Sequence, residues 1–151
     1  MKTKLRNCLL ILLGVFVFSS CTTDKTMIAK GVNLNKYQYA SITQSEKSFG
    51  PVAGLEIEPG IYNAIEATRL QMIGERRLGD LPDNQKEKLV LVKYSTATTP
   101  ESSTIIVSFE DYMTGKTISS CKVSKKGLWN RQKDVDKSIR RLAGRIADVW
   151  K

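Results

Sequence analysis

Leu89-Val90-Leu91-Val92-Lys93-Tyr94-Ser95 is the stretch on which the fold turns. Aliphatic and β-branched residues fill both faces until Lys93, which predicts a strand covered on both sides and therefore central in its sheet. Downstream, Thr104–Glu110 alternates, with Ile105, Val107 and Phe109 on one side and Ile106, Ser108 and Glu110 on the other. Asp111-Tyr112-Met113-Thr114-Gly115-Lys116 reads as a hairpin turn in which Gly115 supplies a positive φ. Thr117–Val123 is then a more polar partner strand, so three consecutive strands form an antiparallel meander. Between the first two, Thr96–Ser103 is a polar connection holding Pro100.

The sheet needs a cover, and the C-terminal segment provides one. In Asp134–Trp150, Val135, Ile139, Leu142, Ile146 and Val149 recur at helical spacing with Trp150 beside them, and Asp134 and Asp136 sit where the helix dipole favours acids. Upstream, Ile61–Leu78 repeats Ile61, Ala64, Ile65, Thr68, Met72 and Ile73 on one helical face, leaving Leu70 off the stripe. Arg76 and Arg77 before Gly79 give a stop signal, and Gly74 weakens the last turn. Gly50-Pro51, Gly54 and Pro59-Gly60 predict a loop over Thr43–Gly60, with at most a short strand around Val52–Ile57. Lys36–Ile42, with Tyr37 and Tyr39, reads as the first strand.

The expected fold is therefore α+β: a mostly antiparallel four-stranded sheet in the order β-α-β-β-β-α, with both helices on one face. The first two strands become parallel neighbours if the intervening helix crosses over in the usual right-handed sense.

The N-terminus decides where this domain works. Lys2, Lys4 and Arg6 precede an apolar run from Cys8 to Phe18, followed by Ser19-Ser20-Cys21. Cations, a short apolar run and small residues form the order of a secretory signal, and the run is well short of the roughly 20 residues a membrane span needs. Phe18-Ser19-Ser20-Cys21 resembles the lipobox of bacterial lipoproteins, with Phe18 where that family more often has leucine. The resemblance implies cleavage before Cys21, a diacylglyceryl thioether on its sulfur, and acylation such as palmitate on the new amino end. Two or three chains then hold the protein stably at a membrane.

The division that follows is a signal peptide at 1–20, a lipidated cysteine with a flexible tether at 21–33, and one domain at 34–151. In the lipoproteins that the motif resembles, the residue after the cysteine helps sort the protein between membranes, and Thr22 in place of aspartate implies the outer membrane of the cell envelope. With the signal, lipobox and element order taken together, the chain resembles small lipoproteins of Bacteroidetes-type envelopes. More distantly it resembles domains of lipoproteins that assist curli secretion or activate peptidoglycan synthases, and Tyr112–Thr117 is similar to their hairpin.

Composition excludes several chemistries. No histidine occurs anywhere, which removes Ser-His-Asp and Cys-His pairs and histidine-based zinc sites. With Cys8 leaving and Cys21 acylated, Cys121 stands alone, so no internal disulfide, metal or cofactor is expected. The mature chain carries 21 basic against 15 acidic residues, a formal charge of +6 that sets encounter with anionic neighbours more than identity.

The remaining motifs are weak. Gly115-Lys116-Thr117 looks like the tail of a P-loop but joins two strands and has Glu110 where the first glycine is needed. Ser119-x-x-Lys122 has the spacing of serine–lysine enzymes, yet in a strand the two point to opposite faces. Glu110-Asp111 and Glu56-x-Glu58 read as ordinary solvated acids, and Cys121 as a small apolar residue of the sheet. The segment Lys125-Lys126-Gly127-Leu128-Trp129-Asn130-Arg131 is the most ligand-like surface, an aromatic among cations suited to an anionic glycan or lipid headgroup. The reading is of a non-catalytic, membrane-anchored accessory or assembly factor that binds an envelope protein partner. The alternative is an anion-binding module using Lys125, Lys126, Trp129 and Arg131. No nucleic acid is expected, and the oligomeric state is open.

Overall fold

A computed structural model describes residues 23–43, 54–98, 102–126 and 132–151. The signal, Cys21, and Trp129 and Arg131 of the basic–aromatic loop lie outside the described residues. The elements are β1 (Lys25–Ile28), β2 (Tyr39–Ile42), α1 (Gly54–Glu66), β3 (Gln71–Met72), a one-turn α2 (Asp83–Lys86), β4 (Leu89–Thr98), β5 (Ser102–Asp111), β6 (Thr117–Lys126) and α3 (Gln132–Val149). They build one six-stranded sheet in the spatial order β1-β6-β5-β4-β2-β3.

The β4–β5–β6 meander forms as the alternation requires, with Val92 opposite Phe109 and Val107 opposite Cys121. Gly115 has φ +65° in the β5–β6 turn, as the hairpin reading requires. β2 runs parallel to β4, with Ala40 beside Val90, so the expected crossover pairing forms. The four-stranded, mostly antiparallel expectation is corrected to a six-stranded mixed sheet, because two short edge strands add to it. β3 pairs parallel with β2, and β1 pairs antiparallel with β6.

Within the stretch 21–33 expected to be a flexible tether, the part at Lys25–Ile28 is corrected. Lys25–Ile28 is a strand, Leu34–Lys36 a 3-10 turn, and Asp24 is ion-paired to Arg141 of α3. Four residues with one aliphatic pair show no alternation long enough to read; the exposed edge of β6 supplies the hydrogen bonds that make them a strand.

The first helix is displaced from its expected place. α1 covers Gly54–Glu66: it begins within the region read as a loop, keeps the first turns of the expected helix from Ile61, and ends well before Leu78. Pro59 inside it removes one backbone hydrogen bond, but burial of Ile57, Ile61, Ala64 and Ile65 against the core outweighs that loss. Gly60 faces α3 so closely that a Cβ there would stand 2.6 Å from Ile139 Cγ2. One of the two residues that look like helix breakers, Gly60, is thus the one that lets the two helices approach.

Beyond Glu66 the chain turns. Thr68 donates from both its amide and its hydroxyl to the Ile65 carbonyl, and Leu70, off the expected stripe, is buried. Met72 falls in β3, and Glu75–Arg77 forms a 3-10 turn.

On the helix-covered face lie Val90, Val92, Tyr94, Ile105, Val107, Phe109, Cys121 and Val123, packed with Ile57, Ile61, Ile65, Leu142 and Ile146. Trp150, immediately past α3, is fully buried, tilted against Phe109 at 5.1 Å and edge-on to Tyr37 at 6.1 Å. Among the described residues neither long helix packs on the other face. From register, its rows run Lys25, Lys122, Ile106 and Ser95, then Met27, Ser120, Ser108 and Lys93.

Candidate functional site

At the end of β5 next to the hairpin turn, Asp111 points into the helix-covered side, opposite Val90, and is only 4% exposed. The alternation of β5 places it there, because Ser103, Ile105, Val107 and Phe109 occupy the same face. A lone carboxylate in that position would be costly, and four donors meet it. Tyr37 Oη donates to Oδ2 at 2.7 Å and Lys36 Nζ at 2.9 Å. The Thr114 amide and hydroxyl donate to Oδ1 at 2.8 and 3.0 Å, closing the turn as an aspartate turn.

Burial pushes the Asp111 carboxyl upward, but hydrogen bonds from Lys36, Tyr37 and Thr114 outweigh it and hold the group well below the ordinary carboxylate range. Its bond to Asp111 raises Lys36, and burial together with the same carboxylate raises Tyr37. A carboxylate so fully donated to is a fixed anion, unsuited to shuttling a proton near neutral pH. The reading of Glu110-Asp111 as ordinary solvated acids is therefore corrected for Asp111. Glu110 instead lies on the bare face, paired with Lys93 at 2.7 Å.

Outside this cluster a groove of about 540 Å³ opens between the 3-10 turn and the hairpin, with Asn35, Gln38, Glu87, Lys88 and Met113 on its walls. Behind it, Arg69 fixes the 3-10 turn, donating to the carbonyls of Tyr37 and Leu34 at 2.6 Å each while its guanidinium stands 5.6 Å from the Trp150 ring. The sequence carried no signal for this assembly. Lys36, Tyr37, Arg69, Asp111 and Trp150 are separated by up to 114 positions and form no motif.

The other expected residues are scattered. Ser119 is fully buried on the helix side, whereas Lys122 lies on the bare face, so the two diverge as their spacing in a strand requires. Gly115-Lys116 sits at the hairpin turn, with no helix following. Glu58 on α1 accepts a hydrogen bond from Tyr94 at 2.8 Å. Cys121 is buried, and that burial pushes its thiol up to about 11. Lys125 and Lys126 close β6, with Lys126 exposed where the loop toward Trp129 begins. Among the described residues no acidic or cysteine cluster could hold a metal, and no helix is long and apolar enough to cross a membrane.

No family model and no curated protein matches this chain. Solved structures do. The PelC dodecamer from Paraburkholderia phytofirmans superposes with a TM-score of 0.54 at 12% identity, covering 83% of this chain and 97% of that one. A single-substitution PelC dodecamer from the same organism gives 0.54 at 11% identity, covering 83% and 98%. A DUF4136 family protein from Bacteroides thetaiotaomicron gives 0.42 at 12% identity, covering 85% and 91%. At these identities the two PelC superpositions show the fold alone: this chain has the α+β architecture of the PelC subunit over almost the whole length of that subunit.

Proposed function

We propose that this chain is a lipid-anchored, non-catalytic envelope protein that serves as an assembly subunit, docking protein partners, its own copies first, on the bare sheet face and the sheet edges. The observation that carries this reading is the one-sided covering of the sheet. Both long helices pack on one face, while the other presents a flat array of Ser95, Ser108, Ser120, Ile106 and Lys122, a surface suited to meeting another protein. The PelC structures with the same fold are dodecamers, which supports self-association as the first possibility to test.

Crosslinking in intact cells, followed by native mass spectrometry of the detergent-extracted protein, tests the reading. Discrete higher-order species, or one recurrent protein partner, are expected. A monomer at all concentrations, with nothing captured at native expression, would overturn it.

A second reading takes Lys125, Lys126, Trp129 and Arg131 as a site for anionic glycan or lipid headgroups, favoured by the exposure of Lys126 at the strand end. It predicts salt-sensitive binding that weakens in Trp129→Ala.

A further inference from the structure

The strand that replaces the expected tether changes how the domain meets its membrane. Between Cys21 and Asp24 lie only Thr22 and Thr23, so three Cα steps of about 3.8 Å allow at most about 11 Å of leash. Asp24 does not extend that reach. Its carboxylate is gripped by Arg141, whose Nε donates to Oδ2 at 3.0 Å, and the same guanidinium donates to the Ser124 carbonyl at 3.3 Å. The next residue, Lys25, is already paired in the sheet. A folded body tied this closely has its β1 edge within the depth of a headgroup layer, since the polar layers of a bilayer add several ångströms beyond each side of its hydrocarbon core.

The surface at that edge fits such a neighbour. Lys25 and Lys122 sit directly opposite each other across β1 and β6, a like-charge pairing that weakens a sheet unless an anion lies beside it. Neither lysine has an ion pair among the described residues, and the nearby Asp24 is taken by Arg141. Asp148 is engaged with Lys151 at 3.1 Å. Arg145 of α3 is exposed near Cys121 on the other side of the same edge. Along β1, Met27 and Ile28 are 55% and 50% exposed, two of only four large apolar side chains so placed among the described residues. Cations flanking exposed apolar side chains are the composition of a membrane-interface contact.

We propose that edge strand β1, through Lys25, Met27 and Ile28 with neighbouring Lys122, is seated on the anionic phospholipid headgroups of the bilayer that holds Cys21. Contact with the headgroups covers the unpaired edge of β1, balances the opposed lysines and fixes the orientation of the domain. The rest of that sheet face, from Ile106 to Ser95, and the opposite edge at β3 are left free for partners. The proposal rests on the lipoprotein reading of Cys21.

The test uses the mature lipidated protein in nanodiscs, with a fluorophore at Met27→Cys or, in the hairpin, Met113→Cys. Cys121 is buried with a thiol pushed to about 11 and does not compete for label. Quenching by a headgroup-attached quencher is read in discs of phosphatidylcholine alone and in discs containing phosphatidylglycerol. The expected result is at least threefold stronger quenching at position 27 than at 113 in anionic discs. Raised salt, or Lys25→Glu with Lys122→Glu, should reduce that difference to the value seen in phosphatidylcholine discs, with an unchanged melting curve showing the variant folded.

Equal quenching at both positions on an acylated protein overturns this proposal alone. Quenching at position 27 that is as strong in phosphatidylcholine discs as in anionic ones means that the leash alone sets the position of the edge, and also overturns it. A mature protein whose mass shows no acyl groups overturns both this proposal and the lipoprotein reading beneath it.

Discussion

Replacing Asp111 by alanine should destabilise the protein by about 2–4 kcal/mol. The Tyr37 hydroxyl belongs to a residue 2% exposed, and its bond to Asp111 is the one through which it donates. Stranding such a buried donor costs about 1–3 kcal/mol. The Thr114 amide and hydroxyl lie in an exposed turn where water replaces the lost acceptor, so their share is about 0.5 kcal/mol. The Lys36 side chain is half-exposed, and an ion pair there adds at most about 1 kcal/mol.

Urea unfolding followed by tryptophan fluorescence measures the sum, since Trp150 passes from full burial to water. In a cycle with Tyr37→Phe, the double variant should lose about 1 kcal/mol less than the two single losses combined, because each single change strands the other partner.

The dependence on pH follows from the direction of the shift. The Asp111 carboxyl titrates below its unfolded value, so its contribution is fully present above the ordinary carboxylate range and fades as pH falls through and below about 4. The gap between wild type and Asp111→Asn should therefore narrow steadily from pH 6 toward pH 2. A loss under 0.5 kcal/mol for Asp111→Ala, or a gap that does not narrow in acid, would refute the assignment of this carboxylate as the clamp between turn and hairpin.

Gly60→Ala should lower the melting temperature although alanine favours helix by about 1 kcal/mol, because the new methyl meets the branched Ile139 side chain at 2.6 Å. Ile139→Ala in the same chain should restore part of the loss. Trp150→Ala empties the space between Phe109 and Tyr37 and should cost about 3–5 kcal/mol by chemical denaturation. Cys121 should resist a thiol reagent at pH 8 in the native protein and react within minutes in denaturant, since burial both covers it and disfavours its thiolate.

The central strands and the C-terminal helix were legible because their patterns are long and local. Val135, Leu142, Ile146 and Val149 are buried as their spacing requires, and Ile105, Val107 and Phe109 share the covered face. The first helix was misplaced because Pro59 and Gly60 carry a strong local breaker signal. The role of Gly60 depends on Ile139, nearly 80 positions away, which no local pattern contains. The Asp111 clamp escaped for a similar reason: an acid beside a turn is ordinarily solvated, and only the closure of the sheet brings Tyr37 and Lys36 to it.

By itself, the sequence determined the α+β class, the central strands and hairpin, and the covering C-terminal helix. These follow from composition or from periodicities that a chain expresses within one element. Only the tertiary structure decided that Lys25–Ile28 is a strand rather than part of a leash, that a proline-bearing segment is helical, and that the described sheet has six strands with both long helices on one face. Short segments of weak propensity take the conformation their neighbours stabilise, and those neighbours are assembled from distant parts of the chain.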